Sequence, residues 1–159
     1  MAINTDFIGR TVGSSQPYQV GREKIREFAT AIGDSNPAYH DVEAARALGH
    51  PDLVAPPTFA FAVTFKAFPS VLANPELGLD YSRVVHGSQS FDYSRPIYAG
   101  DELVTEAIVE DIRIAGKNEL LIAALNVSTT DGEPVVHTTS TIVSRGTAPQ
   151  SDSDEGEGE

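Results

Sequence analysis

The chain has 159 residues, 40% of them hydrophobic, and a formal net charge of −12, enough for one substantial core and too little for two ordinary domains. It contains no cysteine, which excludes a disulfide framework, a thiolate zinc site and a cysteine nucleophile. The acidic balance argues against non-specific nucleic-acid binding, which needs lysine and arginine to neutralise phosphates.

No segment approaches the roughly 18 apolar residues of a membrane span, and no basic-then-apolar leader opens the chain. A soluble, cytoplasmic protein without a membrane partner is expected. Residues 151–159 carry five of the 23 acids and no base, leaving 18 acids against 11 bases, a net of −7, in the remainder. With no apolar residue there to offset ordering entropy, residues 147–159 are expected to form a disordered acidic tail behind a single domain at 1–146.

In chain order, Ile25, Phe28, Ala29 and Ile32 fall at i, i+3, i+4 and i+7 and predict an amphipathic helix over 21–32, closed by Gly33. A loop follows, and Asp41 is placed to cap a short helix over 42–48 that ends at Gly49 and Pro51. Residues 59–68 are apolar almost all round, with Phe59, Phe61, Phe65 and Phe68 among small residues. Their odd-numbered run also fits a strand, but Pro57 suits a helix start, so a buried helix over 57–68 is expected. After a loop-rich stretch, residues 84–93, 102–114, 119–129 and 135–143 are rich in valine, isoleucine and threonine. Turn signals at 96–101, 115–118 and 131–132 separate them. The expectation is an antiparallel meander, and hence an α+β domain in which a sheet wraps one buried helix.

Three motifs narrow this further. The run Gly33-Asp34-Ser35-Asn36-Pro37-Ala38-Tyr39-His40-Asp41 resembles the aspartate-x-asparagine-proline-histidine signature of the MaoC-like (R)-specific enoyl hydratases and (3R)-hydroxyacyl dehydratases. Leu53-Val54-Ala55-Pro56-Pro57-Thr58-Phe59 is similar to the segment leading into their central helix. Residues 86–91 and 95–103 resemble the strand and proline-glycine-aspartate turn that follow. The match runs from about Tyr18 to Val143, in the family's order, and is nearest to the HadA-like N-terminal-type dehydratase subunits. The resemblance implies a hot-dog fold, an antiparallel sheet wrapped around a long central helix, and dimers with sites at the interface.

It also implies chemistry. Reversible dehydration of a 3-hydroxyacyl thioester needs an acid, a base and donors for the charge that develops on the thioester carbonyl. Carried over by motif, the catalytic candidates are Asp34, Asn36 and His40. Read from local preferences alone, Asp34 and Asn36 are turn and capping residues between two helices. His86 and His137 read as ordinary strand residues and His50 as a turn residue.

Two departures matter. His40 follows Asp34 by six positions where the family has five, with Tyr39 in the expected place. Pro57 stands where the family has a glycine whose N–H serves the thioester carbonyl, and proline has no N–H. Losing one such donor costs roughly 10²- to 10³-fold in turnover. Thr58 or Phe59 offers an alternative amide, because the first helical turn leaves its N–H groups unpaired.

Two functions compete at this point. One is a self-sufficient homodimeric hydratase using Asp34 and His40. The other, favoured slightly, is a substrate-binding subunit whose partner, a second hot-dog chain, carries the chemistry, with Thr58, Phe59, Phe61 and Phe65 as substrate-binding candidates on an acyl-CoA or acyl-carrier-protein thioester. A non-catalytic acyl-thioester binding protein is a further alternative. A thioesterase is set aside, since residues 56–68 offer no carboxylate to activate water. No cofactor is expected, since no glycine-rich phosphate loop is visible. Nor is a metal, since the four histidines are scattered.

Overall fold

In a computed structural model, residues 2–149 are described. The expected tail lies, from residue 150 onward, outside them. The β-rich second half forms the long strands of one antiparallel sheet: β3 (Val84–Tyr93), β4 (Glu102–Ala115), β5 (Asn118–Thr129) and β6 (Pro134–Ser144). Together with the short strands β1 (Thr11–Ser14) and β2 (Tyr18–Gln19), they run in the order β1-β4-β5-β6-β3, with β2 paired to β4. Alternation sets the inner face: Leu103, Thr105, Ala107 and Val109 of β4 are buried, and so are Thr138, Ser140 and Ile142 of β6.

Against this face lies a helical run over residues 57–72. It is segmented, with 3₁₀ turns at Pro57–Phe59 and Phe65–Ala67 preceding helices α3 (Ala60–Thr64) and α4 (Phe68–Leu72). The strand alternative for the phenylalanine run is thereby excluded. The helix passes beyond the expected end at 68, because Pro69 sits in the first turn of α4, where its missing N–H is tolerated. That same missing N–H would otherwise have bonded the Phe65 carbonyl, which accounts for the tightened turn at Phe65–Ala67.

Helix α1 (Arg22–Ala31) buries Ile25 and Ala29 as the periodicity requires, while Ile32, at its C-cap, is exposed. Helix α2 (Val42–Ala47) is capped by Asp41, whose Oδ1 accepts from the Glu43 N–H at 2.8 Å. The N-terminal strands were not expected from the sequence. β1 is short, its register against β4 shifts between Thr11 and Gly13, and its existence depends on distant partners. The Ser14 N–H donates to Ser70 Oγ at 2.9 Å, and a Cβ at Gly13 would stand 2.6 Å from a Val71 methyl. Ahead of it, the Ile3 N–H donates to both oxygens of the buried Glu119 carboxylate, at 3.1 and 3.2 Å.

The core divides along the helical run. Phe59, Ala60 and Val63 pack with Ile25, Leu53 and Leu103 around its start, whereas Ala67 and Val71 pack with Leu77, Val109 and Leu121 around its end. Phe59 is 0% exposed and meets Phe28 edge-to-face with ring centroids 5.3 Å apart. Phe59→Ala should therefore cost about 3–5 kcal/mol of stability in urea unfolding, while Thr58→Ala, on the exposed neighbour, should stay within about 0.5 kcal/mol.

Candidate functional site

The loop that follows α1 is shaped by its own side chains. Gly33 turns left-handed (φ +74°) to close the helix. Asp34 Oδ1 then accepts from the Asn36 N–H at 3.0 Å, and Asn36 Oδ1 accepts from the Ala38 N–H at 3.1 Å, capping the Pro37–Tyr39 turn. The turn and capping roles read from local preference are thus present. His40 lies 2.9 Å through Nε2 from the Asp34 carbonyl oxygen, so Nε2 carries a proton, and Nδ1 has no hydrogen-bond partner among the described residues. Arg26 Nε donates to the His40 carbonyl at 2.8 Å and ties this loop to α1. Asp34 and His40 are thereby neighbours, joined through main chain rather than carboxylate to imidazole.

The start of the central helix is held from another direction. Val54 bridges Tyr98, the Ala55 N–H donates to the Ile97 carbonyl, and the Ala99 N–H donates to the Leu53 carbonyl. The 96–101 turn behind them is braced by Arg95, paired with both Asp101 oxygens at 2.9 and 3.0 Å and with Glu133 at 3.0 and 3.2 Å. These carboxylates hold the Arg95 pKa above the usual guanidinium range, Asp101 contributing most. Its charge is already compensated, so it acts as a wall rather than an open anion receptor.

Between the loop and the helix start lies a cavity of about 430 Å³ whose wall includes Asn36, Tyr39, His50, Pro57, Tyr93 and Arg95. Of the three loop candidates, Asn36 lines it, and Asp34 and His40 are not among its lining residues. Tyr39, the residue in the expected histidine position, has its pKa raised by burial and, secondarily, by the Asp34 charge. Tyr93 donates its hydroxyl proton to the Pro57 carbonyl. Burial pushes its pKa up to about 12, partly opposed by the Ala60 N–H directed at the same oxygen. The first turn of the helix is therefore engaged by a phenol.

A second cavity of about 180 Å³ lies farther along the helix, between its exposed aromatic face and the sheet. Phe61 and Phe65 line it, with Phe68 stacked on Phe65 at 5.1 Å and His86 edge-on to Phe61 at 5.6 Å. Phe61 and Phe65 are 39% and 53% exposed. Of the substrate-binding candidates, these two line a cavity, Phe59 is core, and Thr58 is exposed beside Pro57. Tyr93, Tyr39, Arg95 and Gln89 were not singled out as site residues from sequence, and His50 and His86 were assigned only turn and strand positions. Tyr39, His86, Gln89 and Arg95 lie within the motif segments quoted above, and Gln89, Phe91 and Tyr93 alternate along a strand. Among the described residues no group of three or more histidines and carboxylates is placed to hold a metal ion, and no helix is long and apolar enough to cross a membrane.

Residues 6–138 match the family model described as FAS1-like, dehydratase domain region. A UPF0336 protein from Streptomyces coelicolor is 52% identical over 145 residues, covering 91% of this chain and 97% of that protein. The C-terminally truncated HadBC (3R-hydroxyacyl-ACP dehydratase) complex from Mycobacterium tuberculosis contains a chain 29% identical to this one. It superposes with a TM-score of 0.74, covering 87% of this chain and 98% of that one. A MaoC-like dehydratase that is 33% identical superposes with a TM-score of 0.73, covering 87% of this chain and 42% of that longer one. The sheet wrapped around a central helix is thus the hot-dog fold of these dehydratases.

The Tyr93 environment generates a measurable consequence. A tyrosine whose folded pKa is raised from 10.0 to about 12 binds its proton more tightly when folded. Its contribution to stability is complete below pH 10 and declines from there to pH 12. Ultraviolet titration of the five tyrosines should show a late ionisation near pH 12 that disappears in Tyr93→Phe.

Proposed function

This chain belongs to the FAS1-like dehydratase-region family, and on that premise we propose that it is the substrate-binding half of a (3R)-hydroxyacyl-thioester dehydratase, or trans-2-enoyl-thioester hydratase, of cytoplasmic fatty-acid metabolism. A second hot-dog chain supplies the catalytic groups, and the substrate is an acyl-CoA or acyl-carrier-protein thioester. The observation that carries this reading is the start of the central helix. Pro57 has no N–H to offer, and the Tyr93 hydroxyl is bonded to the Pro57 carbonyl.

Dehydration takes a proton from Cα, delivers one to the departing hydroxyl, and needs donors for the thioester oxygen as negative charge builds on it. In this chain the Asn36 carboxamide and one Asp34 oxygen accept from the loop's own amides. The cavity along the helix is by contrast built for hydrocarbon, with Phe61 and Phe65 on its wall. Strand β3 forms one edge of the sheet, with Val85, Tyr81, Phe61 and Phe65 exposed. An open edge flanked by apolar side chains favours pairing with a second chain.

A specific observation favours the alternative, a self-sufficient homodimer. His40 Nδ1 has no hydrogen-bond partner among the described residues, and its Nε2 is held at the Asp34 carbonyl, an arrangement open to a general base. The two readings separate in one experiment. The chain is purified from its native cells, any co-purifying hot-dog chain is identified by mass spectrometry, and crotonyl-CoA hydration is assayed with and without it. The isolated chain should be nearly inactive, and Asp34→Asn and His40→Ala nearly silent in the reconstituted pair. Strong activity of the chain alone, lowered at least about 10²-fold by either change, would establish the homodimer instead. Thioester binding without hydration in any assembly would leave a non-catalytic binding protein.

A further inference from the structure

The aromatic-walled cavity follows the central helix from Phe61 to Val71, and on the sheet side Leu125 and Leu121 of β5 both line it. These two leucines stand four residues apart on one face, about 14 Å along the strand. Leu121 pairs with Ile142 of β6, another lining residue. The next inward-facing pair along the same two strands, about 7 Å farther from the helix start, is Glu119 and Ser144. Both are buried, at 3% and 1% exposure. The aliphatic lining thus stops one step short of a buried carboxylate.

That carboxylate holds the N-terminal segment across the cavity's far end. Both Glu119 oxygens accept from the Ile3 N–H. On the other side, the Asn4 N–H donates to the carbonyl of Leu77, a lining residue, at 2.9 Å, and Asn4 Nδ2 donates to the Glu76 carbonyl at 3.2 Å. The approach is close, since a Cβ at Gly78 would stand 2.7 Å from the Ala2 carbonyl oxygen. Ile3 is 3% exposed and packs in one apolar cluster with Val71, Leu77, Leu121 and Ile142. A hydrocarbon chain growing past Leu121 would have to displace Ile3 and strip the buried carboxylate of its hydrogen bond, which is costly.

We propose that Ile3, anchored by Glu119, is the end wall of the acyl site and sets the longest acyl chain that the cavity admits, a role that rests on the acyl-binding reading above. Ile3 is the specificity determinant, and Glu119 is a positioning residue that acts through it. Each methylene buried in the cavity tightens binding about fourfold. Affinity therefore rises with chain length until the terminal methyl meets the wall, then falls. Plain core packing of Ile3 would have no such signature, because lost stability weakens binding of every length alike.

The test is calorimetric binding of saturated acyl-CoAs of even length, hexanoyl to octadecanoyl, to the full-length chain, alone and with the co-purifying hot-dog chain. Ile3→Ala removes three carbons from the wall and should move the optimum about two carbons longer, with a gain of about tenfold at that length. Glu119→Ala should move it in the same direction. Glu119→Gln, which keeps an acceptor for the Ile3 N–H, should leave it in place. Ile25→Ala, in the other half of the core, should lower stability without moving the optimum. If melting shows Ile3→Ala to be unfolded, Ile3→Val, smaller by one methylene, carries the test. The ratio of affinities for the two lengths that bracket the optimum should then move toward the longer. An optimum unmoved by the folded Ile3 variants, or moved equally by Ile25→Ala, would overturn this inference and leave the acyl-binding reading intact. Failure of every length to bind in either assembly would overturn both.

Discussion

The contact on which the site depends is the edge-to-face packing of Phe59 against Phe28. It fixes the rotational phase of the central helix. With Phe59 turned into the core, Ala60, Val63, Thr64 and Ala67 are also buried, and their small size lets the helix approach the sheet closely. Phe61 and Phe65 then fall on the remaining face and line the cavity. Phe28 belongs to α1, whose C-terminus leads directly into the 33–41 loop. One aromatic pair therefore sets the helix start, the loop beside it and the aromatic wall in a common frame.

A second constraint acts through the main chain. The Arg95–Asp101 pair shapes the 96–101 turn, and the turn holds residues 53–55, which deliver Pro56 and Pro57 to the helix start. Both prolines suit that position conformationally, and the second removes an amide donor from it. The Tyr93 hydroxyl settles on the carbonyl that remains. A structural solution to starting a buried helix thus has a chemical effect, because the first turn lacks one amide donor and its Pro57 carbonyl is met by a phenol. The cavity beyond it, walled by Phe61 and Phe65, is lined by other residues than the helix start.

The division between what the residues state locally and what folding adds follows from the range of the interactions. Amphipathic spacing marked α1, the Asp41 cap marked α2, and β-branched runs marked the long strands to within a residue or two, because each signal lies within its own segment. Motif order was enough to indicate the dehydratase family and its fold. Strands β1 and β2 had no such signal, since β1 depends on Ser70 and on the close approach of α4 at Gly13. Nor did local pattern separate Phe59 from Phe61: both are phenylalanines in one apolar run, and only packing against Phe28 makes the first core and the second cavity wall. The sequence by itself determined that Pro57 has no N–H, a covalent fact that no folding alters. Only the tertiary structure decided that Tyr93 meets that proline's carbonyl, and that Gln89 lies opposite Ser140, because strand pairing and helix packing join residues far apart in the chain.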